Sequence, residues 1–278
     1  MSESEAQMSE NSESTVAPLK AASTVVLVRD GEQGIEVFLQ RRVKQMAFAG
    51  GMTVFPGGGV DPRDGGADIA WSGHGIDWWA TQFGTDEDVA QKLVCAAVRE
   101  TYEECGVLLV GTADGSPLDV TSLAPQRSLL EDRTLSLAEF LAANDLTLRA
   151  DLLVPLAHWI TPKNEKRRYD THFFLAALPA GQVADDRTTE VEEAYWRSAA
   201  GALEDWAAGK CFLLPPTWTQ LRELARYSTV ADLLAVQRII EPIEPEVPSD
   251  GNFAGLAFTD SVEYFASLSS QNRDELKF

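Results

Sequence analysis

The chain has no stretch of 18 consecutive apolar residues, which excludes a conventional membrane-spanning helix. Cysteine is scarce: Cys95, Cys105 and Cys211 form no CxxC pair and leave an odd thiol. That count speaks against a disulfide framework and makes a reducing cytoplasm the expected setting. His74, His158 and His172 have neither HxH nor HExxH spacing, so zinc chemistry is not expected. Bases are few as well. Twenty-three Lys and Arg stand against 43 Asp and Glu, for a formal charge of −20, the wrong balance for a nucleic-acid partner. The first residues show no basic segment leading into an apolar core, and Glu275-Leu276-Lys277-Phe278 is not the Ser-Lys-Leu peroxisomal address. A soluble, cytoplasmic protein with no membrane partner is the expectation.

What is present is enough length and apolar content for a sizeable core, and one dense acidic motif. In Arg99-Glu100-Thr101-Tyr102-Glu103-Glu104-Cys105-Gly106-Val107, three carboxylates stand at i, i+3 and i+4 ahead of a glycine and an apolar run. At about 100° per helical residue, Glu100, Glu103 and Glu104 share an arc roughly 100° wide. Ala90, Val94, Ala97, Val98, Thr101 and Cys105 take the opposite side. Like charges at this spacing repel, so the motif costs stability unless a cation sits over it. Clustered carboxylate oxygens suit a hard divalent ion such as Mg²⁺ or Mn²⁺, which then favours phosphate oxygens as further ligands. For a bare ExxEE, a solvated acidic helix face is the competing reading.

Upstream lies Phe55-Pro56-Gly57-Gly58-Gly59-Val60-Asp61, a turn in which backbone N–H groups can approach an anion closely. It lacks the Lys-Ser/Thr of a P-loop. Together with the glutamate helix it resembles the signature of the Nudix hydrolase superfamily, G-x5-E-x7-R-E-U-x-E-E-x-G-U with U apolar. The second half matches except at Thr101, where a bulky apolar residue is usual. With Gly58 as the motif glycine, Asp64 stands where the first glutamate belongs, and 34 residues instead of seven separate it from Arg99. A long insertion inside the box is a feature of a Nudix subgroup that includes peroxisomal coenzyme A diphosphatases. Arg41 to Asp61 is similar to that subgroup's L-L-T-x-R-[SA]-x3-R-x3-G-x3-F-P-G-G. Leu39, Arg42, Gly51, Phe55, Pro56, Gly57 and Gly58 fit; Phe38, Gln40, Val43 and Ala47 do not.

Along the chain, residues 1–17 read as a disordered acidic tail, too poor in apolar side chains to offset the entropy of ordering. Ala22 to Arg29 and Ile35 to Arg41 read as a hairpin across Asp30-Gly31-Glu32-Gln33-Gly34. An insertion at about 65–84 holds Trp71, Trp78 and Trp79, which either cover a core or form a lid. Thr85 as a hydroxyl cap, with Asp86, Glu87 and Asp88 as first-turn acids, starts a helix that Gly106 ends. Val107 to Val110 reads as a short buried strand. A second, mostly helical insertion at about 112–150 includes a capping box at Ser136 and Glu139. Leu152 to Ile160, Tyr169 to Leu178 and Val191 to Trp196 read as strands, with His158 and His172 as hydrogen-bonded sheet residues. Ala199 to Ala208 and Thr217 to Tyr227 read as helices. Residues 18–240 then form one domain and 241–278 a C-terminal arm. This order indicates an α/β fold with a mixed sheet between helical layers, and the Nudix resemblance implies an α/β/α sandwich with helical insertions.

The resemblance further implies a pyrophosphohydrolase that cleaves a nucleoside diphosphate linked to another moiety. Glu100, Glu103 and Glu104 would hold Mg²⁺ or Mn²⁺, and Arg99 would pair with a glutamate, expected to be Glu103. The base for the attacking water would be Glu100 or Glu104, with Glu165, Glu190, Glu192 and Glu193 as outside candidates. Substrate-binding candidates are Arg42, Gly57, Gly58, Gly59, Lys166, Arg167 and Arg168. The last three belong to Lys163-Asn164-Glu165-Lys166-Arg167-Arg168, four cations in six residues, which is either a solvated tip or a receptor for a remote phosphate such as the 3′-phosphate of coenzyme A. The subgroup pattern leans to coenzyme A or acyl-coenzyme A. ADP-ribose, NADH and dinucleoside polyphosphates stay open, as do a catalytically silent nucleotide-binding regulator and a homodimer.

Overall fold

A computed structural model describes residues 16–45, 49–66, 69–113, 115–116, 118–188, 191–248 and 253–275. Most of the expected acidic tail, Ala47 and the base candidate Glu190 lie outside them. The chain opens with a hairpin of β1 (Leu19–Gly31) and β2 (Gly34–Arg42). Gly34, at φ 102°, makes the turn, a backbone region open to glycine because it lacks a Cβ. Two short strands follow, β3 (Thr53–Val54) beside β2 and β4 (Gly57–Gly59) beside β1. The first insertion carries β5 (Trp71–Ser72) and α1 (Ile76–Phe83) and leads to α2 (Glu87–Cys105). The second carries β6 (Val110–Thr112), α3 (Val120–Glu131), α4 (Leu137–Ala143) and β7 (Leu146–Arg149). Ser136 and Glu139 form the capping box on α4. Then come β8 (Val154–Ile160), β9 (Arg168–Ala177) and β10 (Val191–Ser198). Helices α5 (Ala199–Ala207), α6 (Pro215–Leu224) and α7 (Val230–Leu234) precede β11 (Pro242–Ile243), α8 (Ser261–Ala266) and α9 (Ser270–Glu275).

The main sheet runs β10-β2-β1-β9-β8-β11 and is mixed: β1 with β9 and β8 with β11 are parallel, the other neighbours antiparallel. Alternation along the strands separates two cores. Val25, Leu27, Phe38, Phe174 and Ala176 face α1 and α2, against Trp79, Phe83, Leu93, Val94 and Val98. Val26, Val28, Leu39 and Leu175 face the other way, against Trp206, Leu221 and Leu224. Each such side chain contributes about 1.5–3 kcal/mol on burial, and the result is the expected α/β/α sandwich. Trp79 is completely buried, so this tryptophan of the first insertion is core. The two insertions are tied together by a second sheet, β5-β7-β6.

Val107–Leu109 departs from expectation. These residues are fully buried, but regular strand structure begins only at Val110. The backbone of Leu108 is taken up by a side chain: its N–H donates to Gln182 Oε1 at 2.8 Å, and Gln182 Nε2 donates to its carbonyl at 2.8 Å. An apolar run signals burial but not which partner satisfies its backbone.

The C-terminal residues pack under α5 and α6. Tyr264 is buried, stacks on Trp206 at 5.1 Å and donates to Leu213 O at 2.8 Å. Among the described residues, no helix is long and apolar enough to cross a membrane.

Candidate active site

Helix α2 begins one residue later than a Thr85 cap would place it, because a carboxylate and not the hydroxyl takes the free N–H. Asp86 is its N-cap and accepts from Val89 N–H, and Gly106 closes the helix in the left-handed conformation at φ 70°. Its apolar side packs on the sheet, and Thr101 fits there despite its hydroxyl. That side chain is fully buried, and its Oγ1 donates to Ala97 O at 2.7 Å, so the polar group is satisfied within the helix.

The acidic side lies against β4. Gly57 N–H donates to Glu104 Oε2 at 2.9 Å. A Cβ built on Gly58 would stand 2.6 Å from the Glu100 carboxylate, closer than any real contact. Gly59 O accepts from Arg99 Nη2 at 3.0 Å. The glycine turn thus approaches an anion as expected, but that anion is the protein's own helix.

Arg99 is the hub. Its Nε and Nη2 donate to the two oxygens of Asp64, both at 2.8 Å, and its Nη1 donates to Glu100 at 2.7 Å and Glu103 at 3.1 Å. The expected Glu103 pairing is present, but the principal partner is Asp64, itself 1% exposed. Burial disfavours the Arg99 charge; the hydrogen bonds that it donates to Asp64 and the fields of Glu100, Asp64 and Glu103 outweigh it and hold its pKa above the usual arginine value. Asp64 is fixed in turn by Asp61 N–H at 2.8 Å.

Glu103 is strongly perturbed. Burial pushes its pKa up to about 7, against the opposing field of Arg99, and its Oε1 is buried with no hydrogen-bond partner among the described residues. Three carboxylates, Asp64, Glu100 and Glu103, therefore meet around one guanidinium, and Glu104 follows Glu103 on the same turn of α2 with its Oε2 on Gly57 N–H. An orphaned carboxyl oxygen beside that excess negative charge fits a hard divalent cation in donor type and in charge. Glu100, Glu103 and Glu104 are the residues that would hold it.

Sequence reasoning missed a support at the end of this helix. Arg127, from α3, donates through Nε to Glu103 O at 3.0 Å and through Nη1 to Asp185 at 2.7 Å, placing a cation on the negative end of the α2 dipole. Nothing in its local sequence marks it, since the contact joins residues 24 positions apart, from the end of α2 to the interior of the second insertion.

The other candidates are placed elsewhere. Arg41 and Glu193 pair at 2.8 Å. Their register neighbours Gln40 and Ala194 take the α2 face, as Gln40 Nε2 donates to Glu104 O, so Glu193 faces away from it. Glu192 lies at the bulge in β10, 3.6 Å from Arg41, and Arg42 ends β2. In the charged turn, Lys163, Glu165, Lys166 and Arg167 are exposed. Arg168 points inward, bonded to Thr161 O and Glu244, so its guanidinium is already occupied. His158 is hydrogen-bonded as expected, to Asp170. His172 is not: neither ring nitrogen has a hydrogen-bond partner among the described residues.

Comparison with known proteins follows the same lines. The NUDT19 Nudix domain family matches residues 80–227. The human acyl-coenzyme A diphosphatase NUDT19 is 29% identical over 258 residues, covering 78% of this chain and 68% of that protein. Putative nudix hydrolase 7 of Caenorhabditis elegans is 32% identical over 200 residues, covering 70% of this chain and 57% of that protein. The chain thus spans about 57–68% of these relatives' length. A crystal structure of a NUDIX hydrolase from Alicyclobacillus acidocaldarius superposes with a TM-score of 0.66 at 27% identity, covering 80% of this chain and 98% of that one.

Proposed function

Since the chain belongs to the NUDT19 Nudix domain family, we propose that it hydrolyses the phosphoanhydride bond of a nucleoside diphosphate derivative, with coenzyme A or an acyl-coenzyme A as substrate and Mg²⁺ or Mn²⁺ as cofactor. The observation that carries this reading is Glu103: a buried carboxylate with an orphaned oxygen, set between Glu100 and Glu104 on one turn of α2. When bound, a divalent ion acidifies water, polarises a phosphoryl oxygen and offsets transition-state charge.

The protein's own groups do the positioning. Asp64 and Gly59 O orient Arg99, and Arg99 orients Glu100 and Glu103. Gly57 N–H orients Glu104. The missing Cβ of Gly58 leaves room for the Glu100 carboxylate. We assign the proton of the attacking water to Glu100 or Glu104; Glu193 faces away from α2, and Glu165 stands in the exposed turn.

The coenzyme A assignment is supported by the names of the NUDT19 relatives and by the exposed cations Lys163, Lys166 and Arg167. Arg168 begins β9 opposite Leu19 of β1, whereas Gly58 lies opposite Ser23. Four strand residues, roughly 13 Å, thus separate the turn from the glycine strand along β1, which suits a phosphate remote from the bond that breaks.

A panel of coenzyme A, acetyl-coenzyme A, 3′-dephospho-coenzyme A, ADP-ribose, NADH and a dinucleoside polyphosphate with Mg²⁺ tests the proposal, with products weighed by mass spectrometry. Adenosine 3′,5′-bisphosphate and a phosphopantetheine are the expected products. Preference for another member of the panel overturns the substrate assignment, and binding without turnover of any member identifies a silent regulator.

A further inference from the structure

A second cluster lies on the α1 and α2 face of the sheet, two strands over from the glycine turn: His172 stands opposite Ser23 of β1, which stands opposite Gly58. His158 of β8 stands directly opposite His172 of β9, and Asp170 precedes His172 by two residues on the same side. The imidazoles stack at 3.9 Å, His158 Nε2 contacts Asp170 Oδ1, and His172 Nδ1 lies 4.0 Å from that same oxygen. One ligand atom from each residue falls within 4.8 Å of the others.

His172 sets this cluster apart from an ordinary sheet pair. It is 4% exposed, with the Phe83 ring edge-on at 4.6 Å, and both ring nitrogens lack a hydrogen-bond partner among the described residues. An imidazole stripped of water and left unpaired is costly. Burial, reinforced by the neighbouring His158, pushes its pKa down to about 3, so the ring stays neutral with a lone pair open. Asp170 is one-third exposed, which leaves a route in from solvent.

We propose that His158, Asp170 and His172 form a second metal site, for a borderline divalent ion of the Zn²⁺ class, with a coordination position open toward solvent. Two imidazoles and one carboxylate are a donor set that such ions prefer and that Mg²⁺ does not. Ligand atoms about 2.0–2.2 Å from one ion lie about 3.4 Å apart, and each imidazole binds in its own ring plane, so closing the cluster takes a shift of about 1 Å by the partly exposed Asp170 and rotation of one ring out of the stack. The bound ion would pin β8 to β9. Spacing along the chain conceals the site because its histidines converge across strands and not along a helix.

The test uses the full chain, stripped with a chelator, then titrated with Zn²⁺ against a chromophoric competitor in excess Mg²⁺, which occupies the hard oxygen donors of α2. One tight Zn²⁺ per chain is expected. Binding should weaken about 100-fold or more in His158→Gln and in Asp170→Asn, since even outer-shell partners are worth 10–100-fold. Co²⁺ should give the intense visible bands of a low-coordinate site in the wild type and lose them in both variants. Asp170→Asn alters a partly exposed side chain, so the test stands even where a buried histidine variant misfolds. Equal Zn²⁺ affinity in wild type and the folded variants, or only the weak spectrum of octahedral Co²⁺, overturns the site and leaves His172 a neutral core imidazole.

Discussion

Asp64 and Arg99 are joined by two hydrogen bonds of 2.8 Å in a pocket where the aspartate is 1% exposed. The pair bridges the whole first insertion, so the insertion loops out of the motif without separating its ends. Removing one partner of a buried ion pair costs about 3–5 kcal/mol. Because Arg99 keeps Glu100 and Glu103, Asp64→Asn is expected at about 3 kcal/mol in urea unfolding, with a fall in turnover. A loss under about 0.5 kcal/mol, the range of neutral surface changes, would show that the pair carries nothing.

Gly58 and Gly59 offer a paired steric test. A Cβ at Gly58 meets the Glu100 carboxylate at 2.6 Å, whereas at Gly59 nothing lies within 4 Å. Gly58→Ala should lower kcat by about 10²-fold, the cost of an ångström-scale misplacement, and Gly59→Ala should leave it within about twofold. Equal effects would mean that Glu100 need not hold its place.

Glu103 makes the metal-free stability depend on pH. Its folded pKa of about 7 exceeds the ordinary 4.5, so the native state retains a proton that the unfolded chain has released. Stability from this group is intact below about pH 4.5 and lost as pH rises through 7, by on the order of 3 kcal/mol. In chelator, the fall in Tm between pH 6 and pH 8 should shrink in Glu103→Gln, and Mg²⁺ should restore wild-type Tm at pH 8. An unchanged pH dependence in Glu103→Gln refutes the burial argument.

Thr101→Val should be nearly silent. The hydroxyl bonds only Ala97 O within its own helix, so its loss is worth about 1 kcal/mol or less, and activity should be retained. Thermal unfolding together with turnover checks this; inactivation with an intact fold would give the hydroxyl a role that the geometry does not.

The glutamate helix was legible because capping, periodicity and charge spacing all act within one element, and they gave the start to within one residue, Gly106 and the packed face at once, while the cap itself fell to Asp86 and not to the Thr85 hydroxyl. The two-faced sheet was legible for the same reason, in the alternation along β1 and β2. Side chains that serve distant backbone were not: Arg127 at the end of α2, Gln182 on Leu108 and Tyr264 on Leu213 pair residues 24, 74 and 51 positions apart. The inward turn of Arg168 escaped for a similar reason, since its partner Glu244 comes from the C-terminal arm. Asp64 lay between these cases. The motif named its position, and only the fold showed that its carboxylate reaches Arg99.

The most direct measurement is coenzyme A hydrolysis at saturating Mg²⁺ by the wild type and Glu104→Gln, with matched Tm as proof of folding. Metal-assisted stabilisation of several kcal/mol predicts a loss of about 10³-fold or more. Near-normal turnover by the folded variant would contradict a divalent ion held by this turn of α2.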